Sequence, residues 1–198
     1  MALARDRMSE LHDQLVRHRG FARGLALRMA EAINANQPQT QHMLGEIAMF
    51  AEFARASVYA AEQAAREYGN GLWCADVRPL TALRAALPTW FPRVNEIIRQ
   101  IGSHNLLTTP SRAVLDDPEV RPLLDKYLTG VGDITAEQRD RIFRLAWDFA
   151  GSALGSRNEQ YERFYLGSTG RNLLYSHTVL DRTRADRLVD RFLQEAID

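Results

Sequence analysis

The sequence holds a single cysteine, Cys74, which excludes an intrachain disulfide framework and any cysteine-based metal cluster. As a nucleophile it would need a matching histidine and a third orienting group, and no local signature supplies them, so a buried or loop thiol is expected. Lysine is almost absent: of 25 basic residues only Lys126 is not arginine. Arginine suits bidentate contacts to carboxylates and phosphates. The 25 acidic residues cancel the basic ones, and a net charge of zero argues against a dedicated surface for nucleic acid or an acidic membrane. No stretch approaches the roughly 18 uninterrupted apolar residues that would span a bilayer. The first residues, Met1-Ala2-Leu3-Ala4-Arg5-Asp6-Arg7-Met8, place charges where a signal peptide needs an apolar run. A cytoplasmic protein is expected.

Motifs for sheet-based nucleotide binding are missing too. There is no Gly-x-Gly-x-x-Gly after a strand, no Walker loop and no nucleophile elbow, so a nucleotide cofactor would have to sit against helices and loops. The histidines His12, His18, His42, His104 and His177 form no pattern with a recognised metal geometry. Neither a metal site nor an acid, base or nucleophile is expected among these residues.

What is present is helical periodicity. Leu11, Leu15, Phe21, Leu25, Met29 and Ile33 predict a long first helix, weakened at Gly20 and Gly24, with a turn over Asn34 to Pro38. From Gln39 to Tyr68, Met43, Leu44, Ile47, Phe50, Phe53, Val58 and Tyr59 recur among alanines, predicting a second helix inside a bundle that stops at Gly69-Asn70-Gly71. A third helix is expected from Pro79 to Ile101, broken or kinked at Pro88 and Pro92. Gly102 to Asp117 shows no period and predicts a long loop. A short helix from Pro118 to Tyr127 and a turn at Gly130-Val131-Gly132 follow. Thr135 and Gln138 then form a capping-box pattern, ahead of a helix whose buried face is Ile142, Leu145, Ala146 and Phe149. Arg182 to Ile197, with Leu188, Val189, Phe192 and Leu193, predicts an amphipathic closing helix. No alternating strand pattern and no repeat occur, so the expected architecture is all-α: a single up-and-down helical-bundle domain over 1–198 with extra short helices.

Two polar segments could carry binding chemistry. Gly102-Ser103-His104-Asn105-Leu106-Leu107-Thr108-Thr109-Pro110-Ser111 offers hydroxyls and amides to a polar ligand, although composition favours a plain connection with Ser111 or Asp117 capping the next helix. The second segment runs from Gly155 to Asn172. Within it, Glu159, Glu162 and Arg163 have the spacing of ordinary ion pairs on one helix face. Gly167 to Gly170 is a small-residue turn that would aim free amides and the hydroxyls of Ser168 and Thr169 at whatever lies there, a plain turn being the alternative.

The segments Trp90-Phe91-Pro92-Arg93-Val94, Gly102, Thr109-Pro110-Ser111, Trp147-Asp148-Phe149-Ala150-Gly151-Ser152 and Arg157-Asn158-Glu159-Gln160-Tyr161-Glu162 resemble the C-terminal part of the 4-hydroxyphenylacetate 3-hydroxylase family. The resemblance extends over most of the chain and is clearest from Phe91 to Asn172. It implies a bundle similar to the last domain of acyl-CoA dehydrogenases. Phe164-Tyr165-Leu166-Gly167-Ser168-Thr169 is similar to the Tyr-Glu-Gly-Thr turn of those enzymes, with Leu166 where their catalytic glutamate stands, which argues against α-proton abstraction from a thioester. Family members are much longer, with an N-terminal helical domain and a central β-barrel. They are oxygenase components that use dioxygen and reduced FAD, delivered by a separate flavin reductase, to hydroxylate a phenol ortho to its hydroxyl. The resemblance implies that Thr109, Pro110 and Ser111 approach the flavin, that Arg157 and Asn158 contact the flavin or the subunit interface, and that Gly167, Ser168 and Thr169 line the phenolic substrate. It also implies a homo-oligomer, dimer or tetramer. The alternative reading is a helical oligomerisation or interaction module that kept the bundle and lost the chemistry.

Overall fold

The computed structural model describes residues 20–165, 167–179 and 181–195. Expectations for Leu11, Leu15, His12, His18 and Leu166 lie outside the described residues. Helix α1, described over 20–32, turns through Asn34 (φ +52°) into α2, Pro38–Gln63. Pro38 sits in the first turn of α2, where its missing amide costs nothing.

Helix α2 ends five residues before Tyr68. Arg66–Glu67 (β1) pairs antiparallel with Trp73–Cys74 (β2) around Gly69, Asn70 and Gly71, all three at positive φ. These strands correct the expectation of none, since two-residue strands are too short to show alternation. Cys74 lies exposed on β2.

Helix α3, Val77–Gly102, is opened by the Asp76 carboxylate, which accepts from the Arg78 backbone amide. It continues through Pro88 and Pro92, so of the break or kink expected there the break does not occur. Burial explains the tolerance: α3 is the axis of the fold, with α2, α7, α8 and α9 packed on it, and those contacts outweigh the lost amide donors. The expected loop after Gly102 contains two short helices, α4 (His104–Leu107) and α5 (Arg112–Leu115, capped by Ser111). Helix α6 spans Arg121–Tyr127. Helix α7, Ala136–Ala150, carries the complete Thr135/Gln138 capping box. Helices α8 (Ala153–Phe164), α9 (Thr169–Val179) and α10 (Thr183–Glu195) follow.

The main core is built by α1, α2, α3 and α7, with Met29, Ile47, Ile97, Ile98 and Phe143 almost fully enclosed. A smaller cluster of Ala54, Val58, Leu83 and Leu87 extends it between α2 and α3. Trp90 borders both clusters and stacks on Phe50 at 5.0 Å. Two expectations change here. The buried face of α7 is Ala136, Asp140, Phe143, Ala146 and Ala150, while Leu145 is exposed. Helix α2, expected at the centre, exposes Met49, Phe53 and Tyr59, and the central place belongs to α3. An all-α bundle is confirmed.

Candidate functional site

Thr109, Pro110 and Ser111 form a connection held against α7. The Arg144 guanidinium donates to the Pro110 carbonyl and pairs with the Asp140 carboxylate at 2.9 Å. Asp140 is only 4% exposed, and the Arg144 guanidinium is the cation paired with it. One turn earlier, Arg139 donates to Asn105 Oδ1 at 2.7 Å and to the Thr129 carbonyl at 3.1 Å. Burial lowers the Arg139 guanidinium from its ordinary value. The cavity behind the connection, bounded by Asn105, Thr109, Arg139, Asp140 and Phe143, has a volume of about 10 Å³. That is room for about one water.

The hydroxyls there have defined polarity. Thr109 Oγ1 donates to the Asn105 carbonyl at 2.7 Å, which leaves it lone pairs to offer. Ser111 Oγ accepts from the Val114 amide at 3.4 Å, which leaves it a proton to donate.

Arg157 and Asn158 lie exposed on α8. That helix is fixed by its opposite side. Glu159 accepts from Arg99 at 2.8 Å and from Asn95 Nδ2 at 3.0 Å, both on α3. The sequence spacing suggested a partner for Glu159 on its own helix, and the structure gives it one on α3 instead. Asn95 is fully buried, and its Oδ1 has no hydrogen-bond partner. Arg99 also donates to the Ala150 carbonyl at 2.7 Å, which ties the α7–α8 elbow to α3. Gly155 makes this elbow possible, since a Cβ there would stand 2.6 Å from the Phe149 carbonyl oxygen. On the outer side of α8, Arg157, Tyr161 and Tyr165 follow at four-residue spacing, the two rings stacked at 4.7 Å. Partial burial and the Tyr165 neighbour push the Tyr161 phenol upward. A cation one helical turn from stacked rings suits a planar, anionic ligand.

Gly167, Ser168 and Thr169 make the turn into α9. Gly167 has φ +93°, a conformation that side chains disfavour. Ser168 Oγ accepts from the Arg171 amide at 3.4 Å, capping the helix and keeping a proton to donate. The turn is held from behind by Asn172, which is 4% exposed and donates to the carbonyls of Gly167 (3.1 Å) and Arg84 (3.4 Å).

The candidate residues therefore border the bundle at three places rather than meeting in one cavity. Thr109–Ser111 lie along α7, Arg157 and Asn158 on the outside of α8, and Gly167–Thr169 beside the first half of α3. Arg84 and Asn95, the anchors of the last two places, are eleven positions apart on α3, roughly 16 Å along its axis. His104, in α4, is exposed. No group of three or more His, Cys, Asp or Glu suited to a metal occurs among the described residues. Sequence reasoning missed Asn95, Asp140, Arg144 and Asn172. A buried polar residue on a helix with an otherwise apolar inner face is the available signal, visible at Asp140, which is in register with Phe143 and Ala136.

The central helix α3 with α2, α7, α8 and α9 packed on it is an acyl-CoA dehydrogenase-like helical fold. A solved 4-hydroxybutyryl-CoA dehydratase from N. maritimus shares the fold at 17% identity, with TM-score 0.79, covering 91% of this chain and 36% of that one. Closer matches settle the family. The family model described as 4-hydroxyphenylacetate 3-hydroxylase C terminal matches residues 10–194, and the chain belongs to that family. The oxygenase component of 4-hydroxyphenylacetate 3-monooxygenase from Thermus thermophilus is 35% identical over 88% of this chain and 36% of its own length. A crystal structure of such an oxygenase component, complexed with FAD and 4-hydroxyphenylacetate, superposes with TM-score 0.86 at 34% identity, covering 92% of this chain and 38% of that one. The chain thus spans little more than a third of the relatives it matches.

Proposed function

We propose that this chain, as one helical-bundle domain, serves the oxygenase component of a two-component FADH2-dependent phenol hydroxylase working in the cytoplasm. It would form part of the flavin and substrate pocket and of the oligomer interface. The observation that carries this reading is the continuous match to 4-hydroxyphenylacetate 3-monooxygenase oxygenase components across nearly the whole chain. The side chains fit FAD. Ser111 offers a proton, Thr109 lone pairs, and Arg157 with Asn158 donors for phosphate or for the polar edge of the ring system, beside the Tyr161–Tyr165 stack. Bound FAD would supply the redox chemistry, and these residues would bind and orient it. Gly167, Ser168 and Thr169 would line a phenolic substrate, with Ser168 donating to its oxygen. A flavin reductase would supply the reduced cofactor.

Anaerobic titration tests this reading. Reduced FAD should bind when the chain is mixed with the N-terminal portion of the Thermus thermophilus relative, and an S111A chain should bind it more weakly. No binding in the mixture overturns the hydroxylase reading. The exposed apolar stripe of α10 (Leu188, Val189, Phe192, Leu193) favours a second reading, a non-catalytic oligomerisation module. Both readings expect a dimer or tetramer by sedimentation, dissociated by L188E/F192E; only the second survives a failure to bind flavin.

A further inference from the structure

We propose that Asn172 is the positioning residue of the Gly167–Thr169 turn and that Pro88 provides its anchor on α3. This deepens the reading of that turn as a substrate wall and rests on it. Asn172 is buried on the inner face of α9, and its amide group spans two carbonyls, Gly167 within the turn and Arg84 on α3. In an uninterrupted helix the carbonyl of residue 84 receives the amide hydrogen of residue 88. Pro88 has none to give. The proline, itself buried in a helix that continues past it, has no amide hydrogen to give the Arg84 carbonyl, and Asn172 donates to that carbonyl from the side.

One turn further along α9 a second polar side chain approaches α3. Ser176 Oγ lies 2.9 Å from the Asn172 carbonyl and 3.5 Å from that of Thr81. Two α3 carbonyls three residues apart thus meet two α9 side chains four residues apart. The Asn172 hydrogen bond, which has direction where apolar contact does not, sets α9 in register on α3, and the Ser176 hydroxyl, whose one proton goes to the Asn172 carbonyl, rests against Thr81 beside it. Gly167, at φ +93°, places its carbonyl toward Asn172 in a backbone conformation that other residues adopt at a cost. The Ser168 hydroxyl and the amides that open α9 are then held at a fixed distance from α3.

The test combines two substitutions with two readouts. In the 198-residue chain, NMR hydrogen exchange follows the Asn172 backbone amide, which donates to the Ser168 carbonyl at 3.0 Å, against that of Phe143 in the core. In the mixture with the Thermus thermophilus N-terminal portion and FAD, 4-hydroxyphenylacetate is titrated. N172A should speed exchange at residue 172 about tenfold with Phe143 unchanged, and weaken 4-hydroxyphenylacetate about tenfold with FAD affinity kept. P88A restores a helix amide to the Arg84 carbonyl, and alanine is the better helix former, so folding is not at risk. It should shift the Asn172 side-chain amide resonances and weaken 4-hydroxyphenylacetate in the same direction.

Faster exchange throughout the chain in N172A would mark a general structural role and overturn the proposal. Unshifted Asn172 resonances in P88A overturn the anchoring role of the proline. Should S168A weaken the probe while N172A does not, positioning by Asn172 is overturned and the substrate-wall reading stands. Should neither substitution affect the probe, the substrate-wall reading falls and takes the proposal with it.

Discussion

The α1–α2–α3–α7 half of the molecule and the α8–α10 flank carry similar apolar side chains and treat them in opposite ways. Phe143 on α7 is 2% exposed, while Phe192 on α10 is 59% exposed. Leu188, Val189 and Leu193 are exposed beside Phe192, and Leu173, Leu174 and Tyr175 likewise on α9. One half closes a core by itself; the flank leaves these apolar side chains exposed. Polar bonds tie α8 and α9 to α3: Glu159 accepts from Asn95 and Arg99, and Asn172 donates to the Arg84 carbonyl. A flank held by directional bonds can keep its turns in place while its apolar side remains available for docking.

The largest effect should come from the core. Phe143→Ala removes an enclosed ring and should cost about 3–5 kcal/mol in urea-melt stability. Phe192→Ala should cost less than about 0.5 kcal/mol under conditions where the chain is monomeric. Comparable losses at the two positions would break the contrast between the halves. An intermediate effect is expected at the elbow that joins them. Gly155→Ala brings a Cβ to 2.6 Å from the Phe149 carbonyl oxygen, backbone that cannot swing aside. It should destabilise by about 1–3 kcal/mol in the same assay. An unchanged midpoint would mean that α8 can lift off α7 without cost.

The contrast also explains what the sequence disclosed. The capping box of Thr135 and Gln138 was legible because its partners lie three residues apart and need no tertiary context. The long helices were legible from their apolar period, but the burial of that period was not. Leu188 and Phe192 repeat as regularly as Met43 and Ile47, and only the partners available in space separate the two cases. Pro88 looked like a break because the local cost of proline is visible in sequence and the packing of four helices around it is not. The polar anchors were hidden for the same reason. Asn172 and Arg84 are 88 positions apart, and Glu159 is 60 from Arg99. Thr109–Ser111, Arg157–Asn158 and Gly167–Thr169 were singled out from family resemblance and local chemistry. The side chains that hold those segments, Arg144, Asp140 and Asn172, required the fold.

The smallest effect compares the charged caps of the two regions. Asp76 opens α3, accepting from the Arg78 amide at 2.9 Å and pairing with its guanidinium, and these bonds lower its carboxyl from 3.8 to about 2. Asp181 stands just before α10, where it accepts from the Thr183 amide at 3.0 Å, and its carboxyl is lowered too. A carboxyl depressed by folding contributes stability that is complete above its unfolded value and disappears as the pH falls through the folded one. For Asp76 that window runs from about 3.8 down to about 2. Because α3 belongs to the cooperative core, the melting temperature should register this loss, and Asp76→Asn, which keeps the cap without the charge, should flatten the profile there. Asp181→Asn should leave the melting temperature unchanged at every pH, since the exposed α10 can fray without opening the core. Thermal melts of the two variants between pH 5 and pH 2 decide the matter, and an equal response from Asp181→Asn would place α10 inside the cooperative unit.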